Sequence, residues 1–296
     1  MGTSQTALNS LRQLLKAITP HGLVELRRRR FQPPAPASAI SERDRFHDER
    51  RQKIADATRR APRHGSIDGT NRSEVIKLLL SRGVPLHHLN EGSVPEASLA
   101  FLRTNVLQLL PASEPLLALH IGNFVGVSLA YVAATLKELH PESLTIAIDP
   151  NLPHRGVANP QEHVAVLLSA CELQRSTLLI AGYSGKKSVS NDGVDFGGYD
   201  PAKTFAAEAA CERTLGNLRQ FLAKRSHLVM MDGNHEGKYL EAEILEVVPL
   251  MARGGLLVFD DVDEAWDEIR DVFKDVEKFG LKSIGTDGRI GIAQVL

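Results

Sequence analysis

Two runs of apolar residues in the last quarter of this chain each stop at a carboxylate. One is His227-Leu-Val-Met-Met-Asp232, continuing into Gly233-Asn234-His235, and the other is Gly255-Leu-Leu-Val-Phe-Asp260-Asp261. Runs this short and this continuous read as strands of a parallel sheet buried on both faces. Their acids then fall at the carboxyl edge of the sheet, where open α/β folds bind ligands. Three acids delivered to one edge can hold a cation or position a reacting hydroxyl, so the pattern constrains chemistry as well as fold.

The rest of the chain supplies the helices such a sheet requires. Ordered structure is predicted to begin near Ser66, with helices over 73–81 and 95–110, the second opened by Ser93-Val-Pro95. Strand and helix patterns then alternate: strands over 116–121, 144–149, 177–182, 227–232 and 256–260, and helices over 125–139, 160–172, 203–224, 239–251 and 263–279. Two short strands, 282–286 and 289–295, close around the Asp287-Gly288 turn, a hairpin signal. Five βα units followed by an antiparallel hairpin make a three-layer α/β sandwich.

Composition excludes several classes. A hydrophobic content of 43% and a formal net charge of −1 over 296 residues give no global reason to expect nucleic acid. No apolar run approaches the ~20 residues of a membrane span, and the N-terminus lacks a secretory apolar core and cleavage signal. Cys171 and Cys211 sit in helical patterns without metal-ligand spacing and read as buried reduced thiols, which suits a cytoplasmic protein. The charge is unevenly spread. Residues 1–64 carry 14 Lys/Arg against 6 Asp/Glu, including Arg27 to Arg30 in a row, and a Pro/Ala tract follows at 33–39. Residues 1–65 are therefore expected to be a basic, partly disordered extension and linker. Weak contact of this arm with a membrane surface is the other reading. The loop 183–200 holds Gly185, Gly193, Gly197 and Gly198 and reads either as a substrate-covering lid or as a surface insertion.

Two constellations lie on the ligand edge upstream of the acids. Leu119-His-Ile-Gly122-Asn-Phe-Val-Gly126 marks a strand-to-helix turn in which Gly122 permits a sharp bend and Gly126 permits close packing at the helix start. It is neither a GxGxxG nor a phosphate-binding loop, because Phe124 replaces the middle glycine and no GK[ST] follows. Asp149 ends the next strand, 27 residues beyond Gly122. A carboxylate there suits the two hydroxyls of a ribose; the alternative is a cap for the turn at Pro150-Asn151.

These residues carry a resemblance. From about Leu116 onward the chain resembles a class I S-adenosylmethionine-dependent methyltransferase. Leu119–Gly126 is similar to that family's first motif, with Asn123-Phe124 as a departure, and Asp149 falls where its ribose-binding acid falls. Asp232-Gly-Asn-His235 and Leu256-Leu-Val-Phe-Asp260-Asp261 resemble pieces of bacterial macrocin-type and sugar O-methyltransferases. The resemblance implies an α/β, three-layer Rossmann-like sandwich over residues 66–296, with a mostly parallel seven-stranded sheet and an antiparallel C-terminal hairpin. It implies S-adenosylmethionine as cofactor, held by Gly122, Asn123, Gly126 and Asp149, with Gly182, Tyr183 and Ser184 bordering the adenine. By analogy with the catechol-like branch, Asp232, Asp260 and Asp261 would bind a divalent cation such as Mg²⁺; the alternative is helix capping. His235 is the candidate general base or cation ligand, with Asp232 beside it in the catalytic set.

The expected reaction is O-methylation of a small or glycosylated metabolite, with or without the metal. An NAD-dependent oxidoreductase and a non-catalytic methyltransferase-like scaffold remain alternatives. The expected partner is a small-molecule acceptor, not nucleic acid, and a homo-oligomer stays open.

Overall fold

The computed structural model describes residues 66–185, 214–222 and 225–296. The basic arm and most of the 183–200 loop, with the lid and membrane-surface readings attached to them, lie outside the described residues. Three helices precede the sheet: α1 (Arg72–Ser81), α2 (Leu86–Glu91) and α3 (Glu96–Leu109). Then follow β1 (Leu117–Ile121), α4 (Val127–Leu139), β2 (Leu144–Asp149), α5 (Pro160–Ala170), β3 (Thr177–Ala181), α6 (Thr214–Leu222), β4 (Ser226–Met231), α7 (Gly237–Val247), β5 (Met251–Phe259), α8 (Asp267–Lys274), β6 (Leu281–Thr286) and β7 (Gly291–Val295). Among the described residues no helix is long and apolar enough to cross a membrane.

The seven strands form one sheet in the order β3-β2-β1-β4-β5-β7-β6. The first five are parallel, and β7 runs antiparallel between β5 and β6. The α/β class, the mostly parallel seven-stranded sheet and the C-terminal hairpin are as the sequence predicts. Period-two side-chain alternation divides the core into two layers. Ala118, Ala147, Met230 and Val258 pack against α1, α3, α4 and α5, while Leu119, Ile148, Val229 and Phe259 pack against α6, α7 and α8. Burial of both faces accounts for strands that read as continuous apolar runs.

Element boundaries differ from expectation for local reasons. The six-residue α2, opening on Pro85, is too short to leave a periodic signal. The helix predicted over 239–251 ends at Val247, because Pro249 leaves only a single 3₁₀ turn, Val248–Leu250, and β5 then begins at Met251. The helix predicted over 263–279 starts four residues late. Asp263 accepts from the Ala265 N–H at 2.8 Å, a turn that competes with helix.

The chain runs from β1 outward to β3 and then returns to the other side of β1 at β4. The carboxyl ends of β1 and β4 therefore flank the point where the crossovers diverge, which opens a crevice. Gly122 seals the bottom of that crevice. Its φ is +80°, and a Cβ on it would fall 1.8 Å from the carbonyl oxygen of Asp232. The glycine is thus demanded by the backbone of the neighbouring strand. Gly122→Ala is expected to lower stability by about 3 kcal/mol, through left-handed strain and the clash with β4. Thermal unfolding would measure it, and an unchanged melting temperature would contradict the backbone contact.

Candidate functional site

A cavity of about 240 Å³ lies along the carboxyl edge of the sheet. Of the sequence-predicted residues, Gly122, Asn123, Asp149, Tyr183, Ser184, Asp232, His235, Asp260 and Asp261 line it. Gly126 and Gly182 do not. Gly126 is the left-handed N-cap of α4, where a Cβ would stand 3.2 Å from Val164 of α5, so its small size serves helix packing. Gly182 continues the strand edge by donating its N–H to the Asp149 carbonyl at 3.0 Å.

Asp149 is oriented by two backbone donors. The Asn123 N–H donates to one carboxylate oxygen at 2.7 Å and the Asn151 N–H to the other at 2.6 Å. The carboxylate ties the β1 turn to the β2 turn at the cavity wall, so the capping and ligand-binding readings of this residue are compatible. Beside it, the buried Asn123 side chain is paired with the His120 imidazole, without an aligned hydrogen bond at either of its polar atoms. An amide so weakly paired fits a wall that receives a polar ligand. Nearby His120 is wholly buried, and burial pushes it down to about 4, against a smaller opposing effect of Asn123, so it stays neutral.

At the other end of the cavity the acids are arranged around a residue that sequence reasoning passed over. Arg289, from the β6–β7 turn, donates from Nε to Asp260 Oδ1 at 2.8 Å and from a terminal nitrogen to Asp260 Oδ2 at 2.9 Å. Its Nη1 stands 2.8 Å from Asp261 Oδ1, an ionic contact without hydrogen-bond alignment. Consecutive residues on a strand face opposite ways. The left-handed backbone at Asp261, φ 61°, breaks that rule and lets both acids meet one guanidinium. Asp261 Oδ2 in turn lies 2.6 Å from His235 Nε2, and the His235 ring stacks on Trp266 with centroids 4.3 Å apart.

The acids and His235 that the sequence offered as cation ligands are all near one another at this end of the cavity. The atoms that cluster are one each from Asp232, His235 and Asp261, all within 4.8 Å of one another, whereas Asp260 is engaged by Arg289. Burial holds the Asp232 carboxyl well above its usual range, and the negative charges of Asp260 and Asp261 add to the effect. Burial raises Asp260 too, against the Arg289 hydrogen bond. Two carboxylates and an imidazole are a donor set that a divalent ion fits, and its charge would relieve this repulsion.

Two further residues were not visible as site residues in the sequence. His154, edge-on to Phe124 with centroids 5.3 Å apart, lines the cavity and is pushed down to about 4, first by burial and then by the charges of Arg155, His235 and His88. Glu243, 3% exposed on α7, accepts a short hydrogen bond from the Ser184 hydroxyl, which also lies 3.3 Å from the Tyr239 hydroxyl. Its spacing on α7 gave it the look of an ordinary helix-face acid.

Comparison with known proteins bears on what this arrangement is. Residues 119–262 match a family model described as a methyltransferase domain. A comparison with curated protein sequences gave no match. Among solved structures, the chain is similar to an O-methyltransferase from Bacillus cereus in complex with SAH, at 13% identity over 78% of this chain and 92% of that one, TM-score 0.49. A putative caffeoyl-CoA O-methyltransferase from Staphylococcus aureus matches at 11% identity over 76% and 99%, TM-score 0.45. A TDP-rhamnose 3′-O-methyltransferase of calicheamicin biosynthesis matches at 14% over 75% and 92%, TM-score 0.44.

Burial pushes the Glu243 carboxyl up to about 7, against the lowering effect of Ser184. The folded state therefore holds this proton more tightly than the unfolded chain, whose carboxyl titrates near 4.5. Stability from this group is present below 4.5 and is lost as pH rises through about 7, by about 3 kcal/mol. Glu243→Gln keeps the acceptor and removes the titration. Denaturant unfolding at pH 5 and pH 8 is expected to show the variant gaining on the wild type at the higher pH, and an equal difference at both would refute the burial argument.

Proposed function

We propose that this chain is an S-adenosylmethionine-dependent methyltransferase whose cavity transfers the donor's methyl group to a hydroxyl of a small or glycosylated metabolite, a reading supported by the match of residues 119–262 to a methyltransferase-domain model. The observation that carries the reading is the polarity of the cavity. Asp149 and the weakly paired Asn123 amide stand at one end, and the His235–Asp261 pair stands at the other. Asp149 would hold the ribose and Asn123 the methionine end. Methyl transfer from the sulfonium to oxygen breaks the C–S bond as the O–C bond forms, releasing S-adenosylhomocysteine and one proton. The protein's tasks are alignment of the hydroxyl and removal of that proton.

His235 is placed for the second task. With Asp261 accepting from Nε2, the imidazole presents Nδ1 as the proton acceptor, and stacking on Trp266 fixes the ring. Metal assistance is a second reading, favoured by the clustering of Asp232, His235 and Asp261. A divalent ion bound there would lower the pKa of the acceptor hydroxyl. Residues 66–296 would then be the methyltransferase domain and 1–65 a basic extension to it. The buried thiol of Cys171, free among the described residues, supports a reducing, cytoplasmic setting.

Titration calorimetry with S-adenosylhomocysteine and NAD tests the donor. Binding of the first alone is expected, and binding of NAD alone would reject the reading. In a methyl-transfer assay over candidate hydroxylated acceptors, His235→Ala is expected to lower kcat by about a hundredfold or more. Chelation followed by added Mg²⁺ or Mn²⁺ separates the two readings. Activity lost and restored supports the ion, and activity unchanged by a chelator leaves His235 as the base without it.

A further inference from the structure

The edge that could receive a divalent ion already carries a cation of the protein's own. Arg289 lines the same cavity as Asp232, His235 and Asp261, and its guanidinium stays charged across the physiological pH range. The backbone that bears it is anchored. Asp287 Oδ1 accepts from the Arg289 N–H at 3.0 Å and from the Ile290 N–H at 2.7 Å, and Ile290 is wholly buried. A positive charge held this way belongs to the edge and is not a swinging surface side chain.

The oxygens that face the cavity's acid end are engaged. Both oxygens of Asp260 accept from Arg289, at 2.8 and 2.9 Å. Asp261 meets Arg289 Nη1 with Oδ1 at 2.8 Å and His235 Nε2 with Oδ2 at 2.6 Å. A divalent ion among Asp232, His235 and Asp261 would replace the contact between Asp261 and His235. It would then stand one carboxylate away from the fixed guanidinium. A double charge facing a single one across so short a span is strongly repelled, even at the effective dielectric of a protein surface.

We propose that Arg289 is the built-in counter-cation of this edge, balancing Asp260 and Asp261 and holding low the affinity of the Asp232, His235 and Asp261 cluster for a divalent ion. This rests on the reading of that cluster as the acceptor side of the site, and it favours His235 as a base that works without a resident ion. Removing the guanidinium charge leaves the same three donors free to form a tighter cation site.

Calorimetric titration of the full-length protein with Mn²⁺ tests this. The wild type is expected to bind the ion with a Kd weaker than about 0.1 mM, and Arg289→Gln to bind it about tenfold or more tightly. Arg289→Lys keeps the charge without the planar fork and is expected to stay near the wild type. Wild-type binding tighter than that limit overturns the proposal, as does a glutamine variant that binds no more tightly than the wild type. A lysine variant as tight as the glutamine variant overturns it too, because charge would then not be the cause. Should the glutamine variant fail to fold, the wild-type affinity decides. Parallel titration with S-adenosylhomocysteine keeps the two readings apart. Tight Mn²⁺ binding beside normal binding of that ligand overturns this proposal alone. A wild type that does not bind S-adenosylhomocysteine overturns the donor reading, and the Mn²⁺ comparison still decides the role of Arg289.

Discussion

The Arg289 guanidinium donates two hydrogen bonds to Asp260 and stands 2.8 Å from Asp261, and around that cation two buried carboxyl groups and the partly buried Asp232 share one edge of the sheet. Their mutual repulsion and their desolvation both oppose such a gathering. Arg289 offsets part of it with a bidentate geometry that a lysine could not reproduce. The remaining strain is visible at Asp232, whose carboxyl is pushed well above its usual range. Asp261 meets the guanidinium with one oxygen and His235 with the other, so a single carboxylate links the arginine to the imidazole.

The other end of the cavity depends on backbone rather than charge. Gly122 lies so close to the Asp232 carbonyl that no side chain fits, and Asp149 ties the turns after β1 and β2 together through two N–H donors. The two ends of the cavity are thus joined by a contact between adjacent parallel strands, so the sheet edge sets the distance between them.

Much of this was legible in the sequence. Continuous apolar runs ending in Asp149, Asp232 and Asp260 gave both the buried parallel sheet and the edge on which the ligand residues sit, because a strand's last residue has only one place to go. The roles of the acids were not legible. Nothing in Asp260-Asp261 says that a left-handed backbone turns both toward one arginine, and an arginine after an Asp-Gly turn looks like any hairpin surface residue. Strand position alone brought the three acids to one edge, and the guanidinium that contacts two of them came from a turn with no such signal. Glu243 escaped for a related cause. An acid on a helix is normally solvated, and the sequence does not show that Ser184, just past β3, meets this one.

The hairpin that bears Arg289 has a consequence for how the molecule comes together. Asp232, Asp260 and Asp261 all precede Arg289 in the chain, Asp260 by 29 residues. During synthesis the carboxylates therefore emerge before the cation that reconciles them. Arg289 leads into β7, which lies between β5 and β6, so the cation that reconciles these acids is held in place by the pairing of a single antiparallel strand.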